Sequence, residues 1–196
     1  MKITNLPLTI PNILSLYRLF SFPFLLIFIF LGHQYLFAFC IWFNLITDIL
    51  DGWIARRFNQ VTVIGAGLDG LADSGTYILG ITGIIVFKWT DIQPYAVLFY
   101  VFIGLFLISR LTALIKFGRF YGFHTYGAKT AGYIQGSFFI VLFFLGFYPW
   151  FYYLMIISGY IVFSENLLIT FFLSESMPNV KGLYWVLKTR KEGKEL

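Results

Sequence analysis

Six long apolar runs, at 14–31, 35–46, 77–87, 95–115, 133–147 and 151–173, take up most of this chain. A bilayer span needs roughly 20 mainly apolar residues. With the second, third and fifth runs extended through neighbouring polar positions to about that length, the pattern predicts six transmembrane helices. The composition agrees: 59% of residues are hydrophobic, 22% aromatic and only 12% charged, about half the charged share of an average soluble domain. The expected fold is therefore all-α and integral to the membrane, a single domain over 1–196. It would comprise a short interfacial segment over 1–12, a six-helix bundle over 13–173 and a basic tail over 174–196. The first run is long, and "GHQYLF" after it offers no small-residue cleavage site. It is read as a retained helix rather than a signal peptide.

Charge placement sets the expected topology. Six spans put both termini on one side, together with Arg56 and Arg57 between spans two and three and Lys116, Arg119 and Lys129 around the turn between spans four and five. Lys181, Lys188, Arg190, Lys191 and Lys194 add to the same side, while the other keeps only Lys88, near Asp91. Basic loops face the cytoplasm, so the termini are expected there, in a cell (inner) membrane. Membrane orientation thus accounts for the net charge of +5, and no nucleic-acid partner is implied. The tail is read as a contact for anionic lipid. Cys40 is the sole cysteine, which excludes an internal disulfide and a thiolate metal cluster.

Against this background the stretch "TDILDGWIARRFNQVTVIGAGLDGLADSGTY" is out of place, because it holds four of the five aspartates. Asp48 and Asp51 are three apart, with Gly52 and Ala55 at four and seven from Asp48. On a helix these share one face. Gly65, Asp69 and Asp73, at successive steps of four, share a face on the next helix. "RRFNQVTVI" reads as the connecting turn, so two antiparallel helix ends would each present two carboxylates to one gap. Small residues at Gly52, Ala55, Gly65, Ala66 and Ala72 allow close approach of backbones or of a bulky ligand.

Carboxylates in a membrane are expensive and seldom lack a partner. Four converging acids repel one another unless cations lie between them. An oxygen-only donor set suits Mg²⁺, Mn²⁺ or Ca²⁺ rather than zinc. Two such ions bridged by carboxylates polarise a phosphoryl group and stabilise attacking and leaving oxygens. The plainer alternative pairs helix-end acids with Arg56, Arg57 and lysines of the tail.

Asp48-x2-Asp51-Gly52-x2-Ala55-Arg56-x8-Gly65-x3-Asp69-x3-Asp73 resembles the signature of the CDP-alcohol phosphatidyltransferase family at every fixed position. "IPNILSLYR", "HTYGAKTAGY" and "ENLLI" also resemble family features, more loosely. Members displace CMP from a CDP-linked donor with the hydroxyl of a second alcohol. The resemblance implies Asp48, Asp51, Asp69 and Asp73 as ligands of Mg²⁺ or Mn²⁺, two ions in all, with Asp73 also the general base and Asp69 beside it in catalysis. It implies Gly52, Ala55, Arg56 and Gly65 as the lining of a CDP pocket, and it suggests a homodimer. The donor would be CDP-diacylglycerol, the acceptor a small polar alcohol.

The acceptor is less legible. "DGLADS" matches neither the D-P-x-A-D-K of glycerophosphate and cardiolipin enzymes nor the D-S-x-A-D of serine enzymes. Arg110, deep in the fourth span, with Lys129, Arg119 and Lys116, forms a basic set suited to an acceptor that itself carries phosphate, such as glycerol 3-phosphate or an inositol phosphate. For Lys116, loop charge is an equally good account. Arg18 is expected to partner acids or lipid phosphate, and Glu165 to neutralise one of these cations. His33 and His124 lack metal-ligand spacing. Two alternatives remain: transfer from a CDP-amino alcohol to diacylglycerol, and a divalent-cation transporter.

Overall fold

The computed structural model describes residues 9–60, 62–118, 123, 125–173 and 180–191, and no β-strand occurs among them. They fall into two compact units that divide between Trp89 and Thr90. Five helical stretches are long and apolar enough to cross a membrane: Ile10–Phe30, Gln34–Ala55, Ile64–Phe87, Trp89–Phe117 and Pro149–Phe172. Their length and composition are those of a multi-pass membrane protein. The predicted fifth run lies on a 19-residue helix, Tyr126–Phe144, which opens on Lys129, Thr130 and Gln135. That polar first half keeps it out of the group of five.

The first unit is a three-helix assembly of α1 (Ile10–Phe30), α2 (Gln34–Arg57) and α3 (Val63–Phe87), with every pair in contact. Helix α1 starts before the break expected near residue 12. Pro11 sits in its first turn, where a missing N–H costs nothing and the fixed φ is already helical. Helix α2 likewise runs further than expected, through Arg57. The turn begins at Phe58, with Asn59 at a φ of 52°, a left-handed conformation that asparagine tolerates better than most residues. Thr62 then caps α3 by accepting a hydrogen bond from the Gly65 N–H at 2.9 Å.

The polarity of this unit is reversed relative to a water-soluble bundle. Phe20, Phe24 and Phe30 of α1 and Phe39 and Phe43 of α2 are exposed, while Asn12, Ser15, Arg18, Asn44, Thr47, Asp51 and Ser74 are buried. Lipid is as apolar as leucine, so close packing and polar contacts hold membrane helices together. Asn44 donates to Ser21 at 2.9 Å, and Ser21 donates to the Arg18 carbonyl at 2.8 Å, tying α2 to α1 one turn from the acids.

The second unit contains a short helix α4 (Trp89–Ile92) leading into a 3₁₀ turn, Gln93–Tyr95. These precede α5 (Ala96–Phe117), α6 (Tyr126–Phe144), α7 (Pro149–Phe172) and α8 (Leu183–Lys191). Helix α7 is central and packs on α5, α6 and α8. Phe163 meets Phe102 and Phe106 edge-on at 5.2 and 5.5 Å, and Tyr160 donates to the Leu98 carbonyl at 2.7 Å. Much of the expected tail is structured. Val180 and Val186 are buried with Ile169 and Leu173 of the α7 end, so α8 belongs to the unit and is not only a string of basic residues.

Candidate active site

Asp48 and Asp51 lie in the second half of α2, and Asp69 and Asp73 in the first half of α3. Between the two pairs lies the guanidinium of Arg18 from α1. Its Nη1 donates to Asp48 at 2.5 Å and to Asp73 at 2.8 Å; its Nη2 donates to Asp51 at 2.5 Å and to Asp69 at 2.6 Å. Each nitrogen therefore joins one acid of α2 to one of α3. Asp48 is matched with Asp73, and Asp51 with Asp69, as antiparallel helices require. The expected geometry of two helix ends facing one gap is present.

The sequence also called for a cation among these acids, and in the structure a side chain occupies that place. All four aspartates pair with Arg18, a residue outside the turn and tail that the plainer reading invoked. The Arg18 side chain is 1% exposed, against 40% for Asp48 and 4% for Asp51. The gap is thus sealed on the α1 side and open at Asp48. Ser15, one turn before Arg18, leans on Asp51 at 3.4 Å.

Among the described side chains one guanidinium bridges four carboxylates, in a protein whose surroundings are mostly apolar. Oxygens of Asp48, Asp51 and Asp69 lie within 4.8 Å of one another. Hard oxygen donors at this separation fit a divalent cation of the Mg²⁺ or Mn²⁺ kind.

Of the residues expected to line a nucleotide pocket, Gly52 and Ala55 are half-buried on α2, one and two turns beyond Asp48. Arg56 falls in the last turn of that helix, and its side chain lies outside the described residues. Gly65 is buried in the first turn of α3. A Cβ there would collide with the Asn12 amide oxygen of α1 and lie 2.7 Å from the Thr62 hydroxyl. The small residue is thus already used for helix packing by the protein itself.

The basic residues named for the acceptor belong to the second unit, except that Arg119 lies outside the described residues. Arg110 is 9% exposed on α5, lies 5.6 Å from the Phe106 ring, and has no hydrogen-bond partner at Nε or Nη1. Lys129 is exposed on the first turn of α6. Lys116 donates to the carbonyls of Thr170 and Phe171 at 2.9 and 3.2 Å, closing the C-terminal end of α7, where a cation is favoured. Glu165 neutralises none of the described cations. It accepts from the Thr125 hydroxyl at 2.9 Å and from the Leu183 N–H at 3.1 Å, so one carboxylate serves the first turns of both α6 and α8.

Arg18 was expected to partner acids or lipid phosphate, and it partners acids, all four of them; a lone arginine deep in an apolar run is a signal of a buried acid. One feature of the site was missed in the sequence. Asn12 gave no sign that it packs against Gly65 more than 50 residues away.

An oxygen-only acidic site built on two antiparallel helices of a membrane protein defines a class of candidate phosphoryl-transfer centres, and the chain's relatives narrow it. The chain belongs to the CDP-alcohol phosphatidyltransferase family, whose sequence model matches residues 8–172. A CDP-diacylglycerol--glycerol-3-phosphate 3-phosphatidyltransferase of Wigglesworthia glossinidia brevipalpis is 37% identical over 81 residues, 40% of this chain and 44% of that protein. The protein of the same name from Aquifex aeolicus is 33% identical over 113 residues, 53% of this chain and 62% of its own length. A CDP-diacylglycerol--inositol 3-phosphatidyltransferase 1 of Arabidopsis thaliana is 51% identical over 39 residues, covering 20% of this chain and 14% of its own. The chain spans about half the length of the first two of these relatives. No solved structure matches it.

Proposed function

We propose that this protein is a membrane phosphatidyltransferase. It would move a phosphatidyl group from CDP-diacylglycerol to a small alcohol that itself carries phosphate, and release CMP. The observation that carries this reading is the convergence of Asp48, Asp51, Asp69 and Asp73 on one point in a chain of this family. Glycerol 3-phosphate is favoured over an inositol phosphate because it appears in the names of the Wigglesworthia and Aquifex relatives.

In the proposed reaction the acceptor hydroxyl oxygen bonds to the phosphatidyl phosphorus. The bond from that phosphorus to the bridging oxygen breaks, and CMP leaves with the electron pair. Asp73 takes the hydroxyl proton as general base. Asp48, Asp51, Asp69 and Asp73 would hold two divalent ions, Mg²⁺ or Mn²⁺, and these would supply positive charge to neutralise the diphosphate and the departing oxygen. The rest is positioning, which dominates phosphoryl transfer. Gly52 and Ala55 let the donor approach the helices closely, Gly65 brings the start of α3 against α1 beside them, and Arg56 forks onto the donor's phosphate oxygens. Arg110 is the best-supported acceptor residue, because a buried guanidinium with two unused N–H groups is suited to a phosphate. Lys129, Arg119 and Lys116 supply further positive charge. A sixth span through α6, a cytoplasmic site in an inner membrane and a homodimer complete the proposal. The basic residues support the orientation through the positive-inside rule.

The test is CMP release by the purified protein from CDP-diacylglycerol with Mg²⁺ or Mn²⁺, across glycerol 3-phosphate, inositol phosphate, inositol, serine and phosphatidylglycerol. Release with glycerol 3-phosphate is the expected result. No release with any acceptor, from protein that still binds metal, overturns the reading.

A further inference from the structure

Arg18 uses all four N–H bonds of its two terminal nitrogens, one on each aspartate. A single side chain of α1 thereby staples α2 to α3. It does so by bonding one oxygen of each aspartate, and three of these residues, Asp48, Asp51 and Asp69, offer oxygens within 4.8 Å of one another that could hold a divalent ion. A guanidinium and a divalent ion held by the same carboxylates repel as like charges. The remaining Nε–H of Arg18 is buried without a partner, so the acids alone hold the guanidinium's polar edge in place.

We infer that Arg18 is an exchangeable counter-cation built into the fold. It holds the four carboxylates together when no metal is bound and yields their oxygens as divalent ions enter. Arg18 is a positioning residue in this scheme, and it sets the metal concentration at which the site converts. Four carboxylates with no cation between them would drive α2 and α3 apart, whereas the Arg18 guanidinium keeps them registered. By linkage, whatever stabilises the metal-free form weakens metal binding by the same factor.

This inference rests on the metal-site reading above, and one set of measurements separates the two. Equilibrium Mn²⁺ binding is followed by electron paramagnetic resonance on detergent-purified wild type and on Arg18→Gln, Arg18→Lys and Asp51→Asn. All are prepared in Mn²⁺ and then stripped, so that a variant unstable without metal is still measured. Wild-type binding that Asp51→Asn weakens upholds the site; no such binding overturns the metal reading itself. Arg18→Gln is expected to bind Mn²⁺ on the order of tenfold more tightly than wild type while melting at a lower temperature without metal. Arg18→Lys keeps the charge but cannot bridge four acids, and is expected between the two; it decides the matter should Arg18→Gln not fold. A merely structural arginine gives lower melting with equal or weaker Mn²⁺ binding, and that result in either variant overturns the exchange.

Discussion

Gly65→Ala separates two uses of a glycine beside the acidic site: room for a bound nucleotide, or room for another part of the protein. The added methyl collides with the Asn12 amide oxygen and sits 2.7 Å from the Thr62 hydroxyl. Asn12 is 2% exposed, so its amide has no solvent to move into. Overpacking at such a site costs about 1–3 kcal/mol. Displacing a buried amide from its contacts adds about 1–3 kcal/mol, and the better helix propensity of alanine returns about 1 kcal/mol. The expected net destabilisation is about 3 kcal/mol. Equilibrium unfolding in mixed micelles, followed by fluorescence of Trp42 and Trp53, measures it. In Asn12→Ala the amide is gone, so the double variant should be at least about 1 kcal/mol more stable than the sum of the single changes. A Gly65→Ala protein as stable as wild type, with only its KM for the CDP-linked donor raised, would refute the packing account and leave the glycine to the ligand.

Three further outcomes are expected. Asp69→Asn and Asp73→Asn should each lower the rate of CMP release by at least about a hundredfold, the scale seen when one charge-stabilising group is lost, and a chelator should abolish release until Mg²⁺ or Mn²⁺ is restored; turnover retained by either variant contradicts the roles given to these acids. Arg110→Met removes the buried guanidinium and should raise KM for glycerol 3-phosphate with little change in KM for the donor, measured by steady-state CMP release. Glu165→Ala leaves the Leu183 N–H and the Thr125 hydroxyl without their shared acceptor, and should destabilise the protein by about 1–3 kcal/mol, with faster hydrogen exchange at Leu183 as the local readout.

How far the chain could be read without its fold depends on whether a property is local. Hydropathy and helical periodicity are local, because a backbone span meets lipid residue by residue and a side chain's direction repeats every 3.6 residues. The membrane class, the all-helical architecture and the shared faces of Asp48 with Asp51 and of Asp69 with Asp73 could all be read that way, as could the need for positive charge between them. Errors appeared where a local rule met an end effect. The interfacial segment was expected to run to residue 12, but Pro11 is accommodated in the first turn of α1. Arg56 and Arg57 looked like a turn but complete α2.

Arg18 could be read as a partner for acids or lipid phosphate, but its joining of all four aspartates could not, since it lies 30 to 55 residues from the acids it bonds. No periodicity links positions on different helices; only the packing of α1 against α2 and α3 does. The same holds for Asn12 against Gly65, and for Glu165, which has no charged partner nearby in sequence and finds two helix N-termini. Spacing showed that four carboxylates must face one another and be balanced by charge. Tertiary packing chose the balancing group, because ion pairing depends on distance in space and falls steeply beyond a few ångströms.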